Sequence, residues 1–78
     1  MFTGTKGRYS KIRLCPRLVF EPSHTDYDVM HGPKLLGHVT RFRPSDPWIG
    51  RTMGMMFEHK TRRMVVQAIL DLNQIQPD

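Results

Sequence analysis

Residues 59 to 76, HKTRRMVVQAILDLNQIQ, carry the strongest period in this chain, and it limits the architecture more than any other feature. Val65, Ala68, Ile69, Leu72 and Ile75 recur at i, i+3, i+4 and i+7, the mark of an amphipathic helix with one apolar stripe. Thr61 is the best-placed N-cap, and Pro77 lies beyond the end. Everything before this segment reads as strand and turn, so the stripe has no second helix to cover it. A sheet must do so. The expected class is α+β: a small antiparallel sheet of three to four strands with one C-terminal helix across one face, in the order β-β-β-β-α.

The strands are read from alternation. In KIRLCPRLVF, residues 11 to 20, Ile12, Leu14, Leu18 and Phe20 share one parity, while Lys11, Arg13, Cys15 and Arg17 share the other. Period two implies a half-buried strand with a basic outer face. Pro16 cannot donate to a ladder, so this strand belongs at an edge or carries a bulge. After the turn-like EPSHTD, the segment YDVMH is a short strand at most, and GPK turns the chain into LLGHVTRFR. There Leu36, His38, Thr40 and Phe42 oppose Leu35, Val39, Arg41 and Arg43, and alternation alone leaves the buried face undecided. PSDP, residues 44 to 47, is a hairpin loop into WIGRTMGMMF, read as one arm that Gly50 and Gly54 weaken or bulge.

Only 78 residues are present, so a single domain is expected, with residues 1–8 and 76–78 frayed. Hydrophobic residues at 38% exceed what a disordered tail carries. Cys15 is the single cysteine, which rules out an internal disulfide and fits a reducing, cytoplasmic setting. No apolar run approaches the length of a membrane span, and no membrane partner is expected.

Charge is the clearest guide to function. Twelve Lys and Arg against seven Asp and Glu give a net charge of +5, which favours an anionic partner. The cations cluster in Lys6–Arg17 and again in Arg41–Arg63, while Glu21, Asp26 and Asp28 fall between them. In the helix, Lys60, Arg62 and Arg63 stand at the positive end of the macrodipole and Asp71 near its negative end, each opposed to the dipole. Free N–H groups at a helix start together with three cations form a setting for phosphate or carboxylate.

No nucleophile stands in a recognisable base motif, and no glycine-rich phosphate loop occurs, so an enzyme is not expected. His24, His31, His38 and His59 lack local metal-ligand spacing, so neither metal nor other cofactor is expected. The stretch YDVMHGPKLLGHVTRF followed by KTRRMVVQAILDL loosely resembles double-stranded-RNA-binding domains over about half the chain. Gly32 and Pro33 match the turn, and Lys60, Arg62 and Arg63 match the phosphate-contacting helix start; the first helix of that family has no counterpart. A second loose resemblance, to DNA binders that insert a three-stranded sheet into the major groove, rests on Trp48, Phe57 and Ala68.

The expected function is therefore a non-catalytic module that engages nucleic acid through the sheet face and the helix start. Its candidate contacts are Lys11, Arg13, Arg17, Arg41, Arg43, Arg51, Lys60, Arg62 and Arg63. The alternative is a small protein-binding inhibitor or regulator, of the kind phages use against host defence, docking on a nucleic-acid-handling protein. Trp48 and Met56 are the candidate apolar contacts of such an interface, and a homodimer is compatible with either reading.

Overall fold

The computed structural model describes residues 9–17 and 25–78. Five strands precede one helix: β1 (Ile12–Pro16), β2 (Thr25–His31), β3 (Lys34–Arg41), β4 (Trp48–Thr52), β5 (Met55–His59) and α1 (Arg62–Leu72). The strands form one antiparallel sheet in chain order, and α1 lies over β3, β4 and β5. This is the α+β, two-layer arrangement that the lone apolar stripe requires, with five strands in place of three to four.

Both additional strands have physical causes. YDVMH, expected as a short strand at most, is the centre of a seven-residue strand paired with β1 on one side and β3 on the other. Ladders on both sides outweigh the poor strand propensity of its aspartates. WIGRTMGMMF is two strands, because Met53 and Gly54 turn back between them with φ of 52° and 76°. Left-handed backbone at both central positions makes a two-residue hairpin that follows the natural twist of its strands. Gly54 thus marks a turn where a weakened or bulged strand was expected.

In β1, Ile12 and Leu14 pack against the core, and Pro16 sits on an edge strand as its missing N–H requires. Leu18 and Phe20 lie outside the described residues. The undecided face of β3 is settled by a bulge. Val29 pairs with Gly37 but Met30 pairs with Leu35, so Leu36 is an extra residue. A one-residue shift exchanges the faces of a strand. Val39 and Leu36 are therefore both buried although they differ in parity, and Leu35 is 48% exposed.

Val29, Leu36, Val39, Trp48, Val65, Ile69 and Leu70 form the core between the layers. The helix approaches closely at Gly50: a Cβ built there would lie 2.5 Å from Val65 Cγ1 and 2.8 Å from Phe57 Cε2. The helix start follows the sequence, with Thr61 Oγ1 accepting from Met64 N–H at 3.2 Å. Its buried arc is rotated from the expected stripe toward Leu70, which is 2% exposed, while Leu72 is 39% exposed. The C-terminal cap is the cause. Gln74 takes a φ of 58°, Ile75 N–H donates to Leu70 C=O at 2.9 Å and Gln74 N–H to Asp71 C=O at 3.0 Å, folding Ile75 back onto the core.

Thr52, 5% exposed, ties the two layers together. Its Oγ1 donates to Leu36 C=O at 2.7 Å and accepts from Asn73 Nδ2 at 2.9 Å, so the bulge, β4 and the helix cap share one buried hydroxyl. Thr52→Val keeps the shape but deprives the Leu36 carbonyl of this donor and the Asn73 amide of one acceptor. A loss of about 1–3 kcal/mol is expected, read as a lower urea midpoint at unchanged slope.

Candidate nucleic-acid interface

Register brings distant parts of the sequence to one end of the sheet. Thr25 pairs with Arg41 and Trp48 with His59, while Thr40 pairs with Ile49, which sets Arg41 beside Trp48. The helix begins at this same end, a few residues after His59. Here β3 departs, β4 enters and β5 departs, so the loop bearing Arg43 and the turn bearing Lys60 flank the same corner.

Two arginines close over the aromatic residues of this corner. The Arg41 guanidinium stands 4.4 Å from the centroid of the Trp48 ring, and Arg62 stands 5.1 Å from Tyr27 and 5.8 Å from Trp48. Tyr27 and Trp48 themselves meet at 6.5 Å with their planes tilted by 36°. Arg41 Nη1 also donates to Pro44 C=O at 3.4 Å, which holds the 42–47 loop against the strand end. A guanidinium over an aromatic face contributes about 0.5–1 kcal/mol when exposed, similar to the roughly 0.3–1 kcal/mol that a cation costs at a helix start. The unfavourable placement of Arg62 is thereby offset.

Lys60 and Arg63 have no such compensation. Both are exposed, and among the described residues neither side chain makes a hydrogen bond, ion pair or ring contact. The first turn of the helix contains no acid. Arg41, Arg43, Lys60, Arg62 and Arg63 are thus carried by elements that end or begin at this corner, and none of them is in ion-pair contact with a carboxylate of the described residues.

The remaining four candidate cations are elsewhere. Alternation puts Arg13, Arg17 and Arg51 on the open face of the sheet, whereas Arg41 shares the parity of Val39 and lies on the helix side. The single basic face expected from the sequence is thus divided between two surfaces. Lys11 lies at the opposite end, its carbonyl accepting from Gly32 N–H at 3.0 Å, and Arg13 Nη2 donates to Gly32 C=O at 3.1 Å. Arg17 is engaged by acids from β2, 3.6 Å from Asp26 and 3.7 Å from Asp28. Asp28 also meets His38 Nδ1 at 2.8 Å. Counting charge along the chain missed this, because the acids come alongside Arg17 only through strand pairing.

The two candidate apolar contacts separate as well. Trp48, expected on an exposed patch, is 9% exposed and belongs to the core, since it shares the helix-side parity with Gly50 and Thr52. Met56 is 66% exposed on the open face, paired with Arg51. With Leu35, Met53 and Met55 it borders a depression of about 480 Å³ at the hairpin end. Cys15 is a free, half-buried thiol on the same face, paired with Asp28. Among the described residues no helix is long and apolar enough to cross a membrane.

The fold and its charged corner define a class: a five-stranded antiparallel meander backed by a single helix, with cations gathered where the helix begins. No family model matches the chain, and neither a curated protein nor a solved structure matches it.

Proposed function

We propose that this chain is a non-catalytic nucleic-acid-binding module, anchored on backbone phosphate by the corner of Arg41, Arg43, Lys60, Arg62 and Arg63. The observation that carries this reading is the uncompensated pair Lys60 and Arg63 at the helix start, beside free N–H groups that favour an anion. Tyr27 and Trp48 lie beneath Arg62 and Arg41, so neither of these two rings is open for base stacking. Recognition is of phosphate spacing, with little dependence on base identity.

Fluorescence anisotropy with duplex and single-stranded probes tests this directly. Binding is expected at low salt, with log K falling against log salt at a slope of about 0.9 per phosphate contacted, up to roughly 4 to 5 for duplex if all five cations engage. Trp48 is the single tryptophan and lies under two of them, so its emission is expected to change along the same isotherm. Absence of binding to every probe at low salt overturns the proposal.

A second reading, a small protein-binding regulator that docks on a nucleic-acid-handling protein, is favoured by the open face. Leu35, Met53 and Met56 are 48%, 66% and 66% exposed around Arg51, a mixture common at protein interfaces. Co-purification after nuclease treatment separates the readings: a protein partner that survives supports the regulator, and loss of all partners supports the nucleic-acid module.

A further inference from the structure

The two edges of the sheet are unlike. On β1, Pro16 and the flanking Lys11, Arg13 and Arg17 blunt further pairing. On β5 the sequence is MMFEH, with no proline and no bulge in its register with β4, and with Met55 and Met56 exposed at 44% and 66%. The helix lies over β3, β4 and β5, and among the described residues no strand pairs with the outer border of β5.

Register also fixes which backbone groups of β5 are unused. A two-residue hairpin closes on a hydrogen-bonded pair, here Thr52 with Met55, and such pairs alternate along an antiparallel ladder. Gly50 with Phe57 and Trp48 with His59 are then bonded, whereas Arg51–Met56 and Ile49–Glu58 are not. The Arg51 carbonyl agrees with this assignment: a Cβ built on Gly37 of β3 would collide with it, so it points away from β5. The N–H and C=O of Met56 and Glu58 consequently point outward.

We infer that β5 pairs with β5 of a second copy, antiparallel about Phe57, giving a two-fold dimer with a continuous sheet. The pattern is self-complementary. Met56 faces Glu58 of the other copy, and each such pair exchanges both of its N–H···O bonds. On the open face the two Met56 side chains become diagonal neighbours across the seam. Glu58, which makes no ion pair among the described residues, comes onto the far side of Met56 from Arg51 of the other copy. The blunted β1 edges stop further growth.

The test is sedimentation equilibrium of the full chain over a range of concentrations, with amide exchange read at single residues. Twice the monomer mass is expected, together with protection of the Met56 and Glu58 amides that rises with concentration. Met56→Pro removes an outward N–H and the Met56 side chain from the seam, leaves the β4 ladder its hydrogen bonds, and is expected to raise the dimer dissociation constant by about tenfold or more. Glu58→Lys puts a cation opposite the partner's Met56, one strand beyond the partner's Arg51, and is expected to act in the same direction, more weakly in salt, without altering the β4 ladder. A mass that stays monomeric at the highest soluble concentration overturns the inference. So does a dimer whose Met56 and Glu58 amides exchange freely. These readouts contain no nucleic acid, so the inference stands or falls apart from the proposed function.

Discussion

Gly37→Ala is expected to abolish cooperative folding. Gly37 lies on β3 directly after the bulged Leu36, facing Val29 on one side and the end of β4 on the other. A Cβ placed there collides with the Arg51 carbonyl oxygen and stands 3.1 Å from Thr52 Cβ. The first obstacle is backbone, so no rotamer change relieves it and β3 must move away from β4. That movement pulls Leu36 C=O from Thr52 Oγ1, and through Thr52 it loosens the Asn73 cap of the helix. Overpacking a core costs about 1–3 kcal/mol even where side chains can yield. A domain this small holds only roughly 3–5 kcal/mol from its core, so one forced methyl group consumes most of it. Far-ultraviolet circular dichroism in urea is expected to show a broad, shallow loss of signal without a transition. Gly32→Asn is the contrasting variant: Gly32 has a φ of 59° and nothing within 4 Å of a built Cβ, and asparagine tolerates that backbone. Its midpoint is expected to stay close to that of the parent. If Gly37→Ala melts as sharply and as late as Gly32→Asn, the close contact of β3 with β4 is wrong.

This dependence on one glycine shows where the sequence is readable and where it is not. The helix was legible because Val65 and Ile69 recur with its period and Thr61 precedes them as a side-chain acceptor. Pro16 disclosed an edge for a local reason, the missing donor. Features that depend on pairing were hidden. The aspartates of β2 are poor strand formers, and Arg17 and His38 come beside them only when β1 and β3 pair with that strand. The exchange of faces at Leu36 leaves no local sign, since LLGH fits either register. Leu70 replaced Leu72 in the core because a cap at Gln74 and Ile75 folded the chain back, a tertiary choice that helical period does not encode. Met53 lacks the residue types that advertise a left-handed turn, and only Gly54 hinted at one.

The candidate site was partly legible for the same reasons. Lys60, Arg62 and Arg63 were singled out by an electrostatic argument that needs only the helix, and they remain together at its start. Arg41 and Arg43 join them because β3 ends where the helix begins, a matter of topology that sequence spacing does not reveal. The rings beneath Arg41 and Arg62 were likewise unforeseen, as Trp48 was assigned to the surface.

Removing Lys60 and Arg63 together, as Lys60→Gln with Arg63→Gln, is expected to weaken nucleic-acid binding while making the fold more stable. The opposed signs are the informative part. Each cation sits against the positive end of the helix, so relieving both is expected to raise stability by about 0.5–2 kcal/mol at low salt. If each instead donates to a bound phosphate, its loss removes a charged hydrogen bond of about 1.5–3 kcal/mol, roughly tenfold or more in affinity per residue. The salt slope is expected to flatten by nearly two, since each duplex phosphate contact contributes about 0.9. Arg62→Gln supplies the internal comparison. It relieves the dipole but gives up the stack on Tyr27 and Trp48, so its stability is expected to stay within about 0.5 kcal/mol of the parent. Urea midpoints and anisotropy titrations on the same preparations separate the two effects, because a binding defect in a more stable protein cannot arise from unfolding. A double variant that gains stability and binds as tightly as the parent, with an unaltered salt slope, would reduce Lys60 and Arg63 to solvated turn residues and leave the corner without its phosphate contacts.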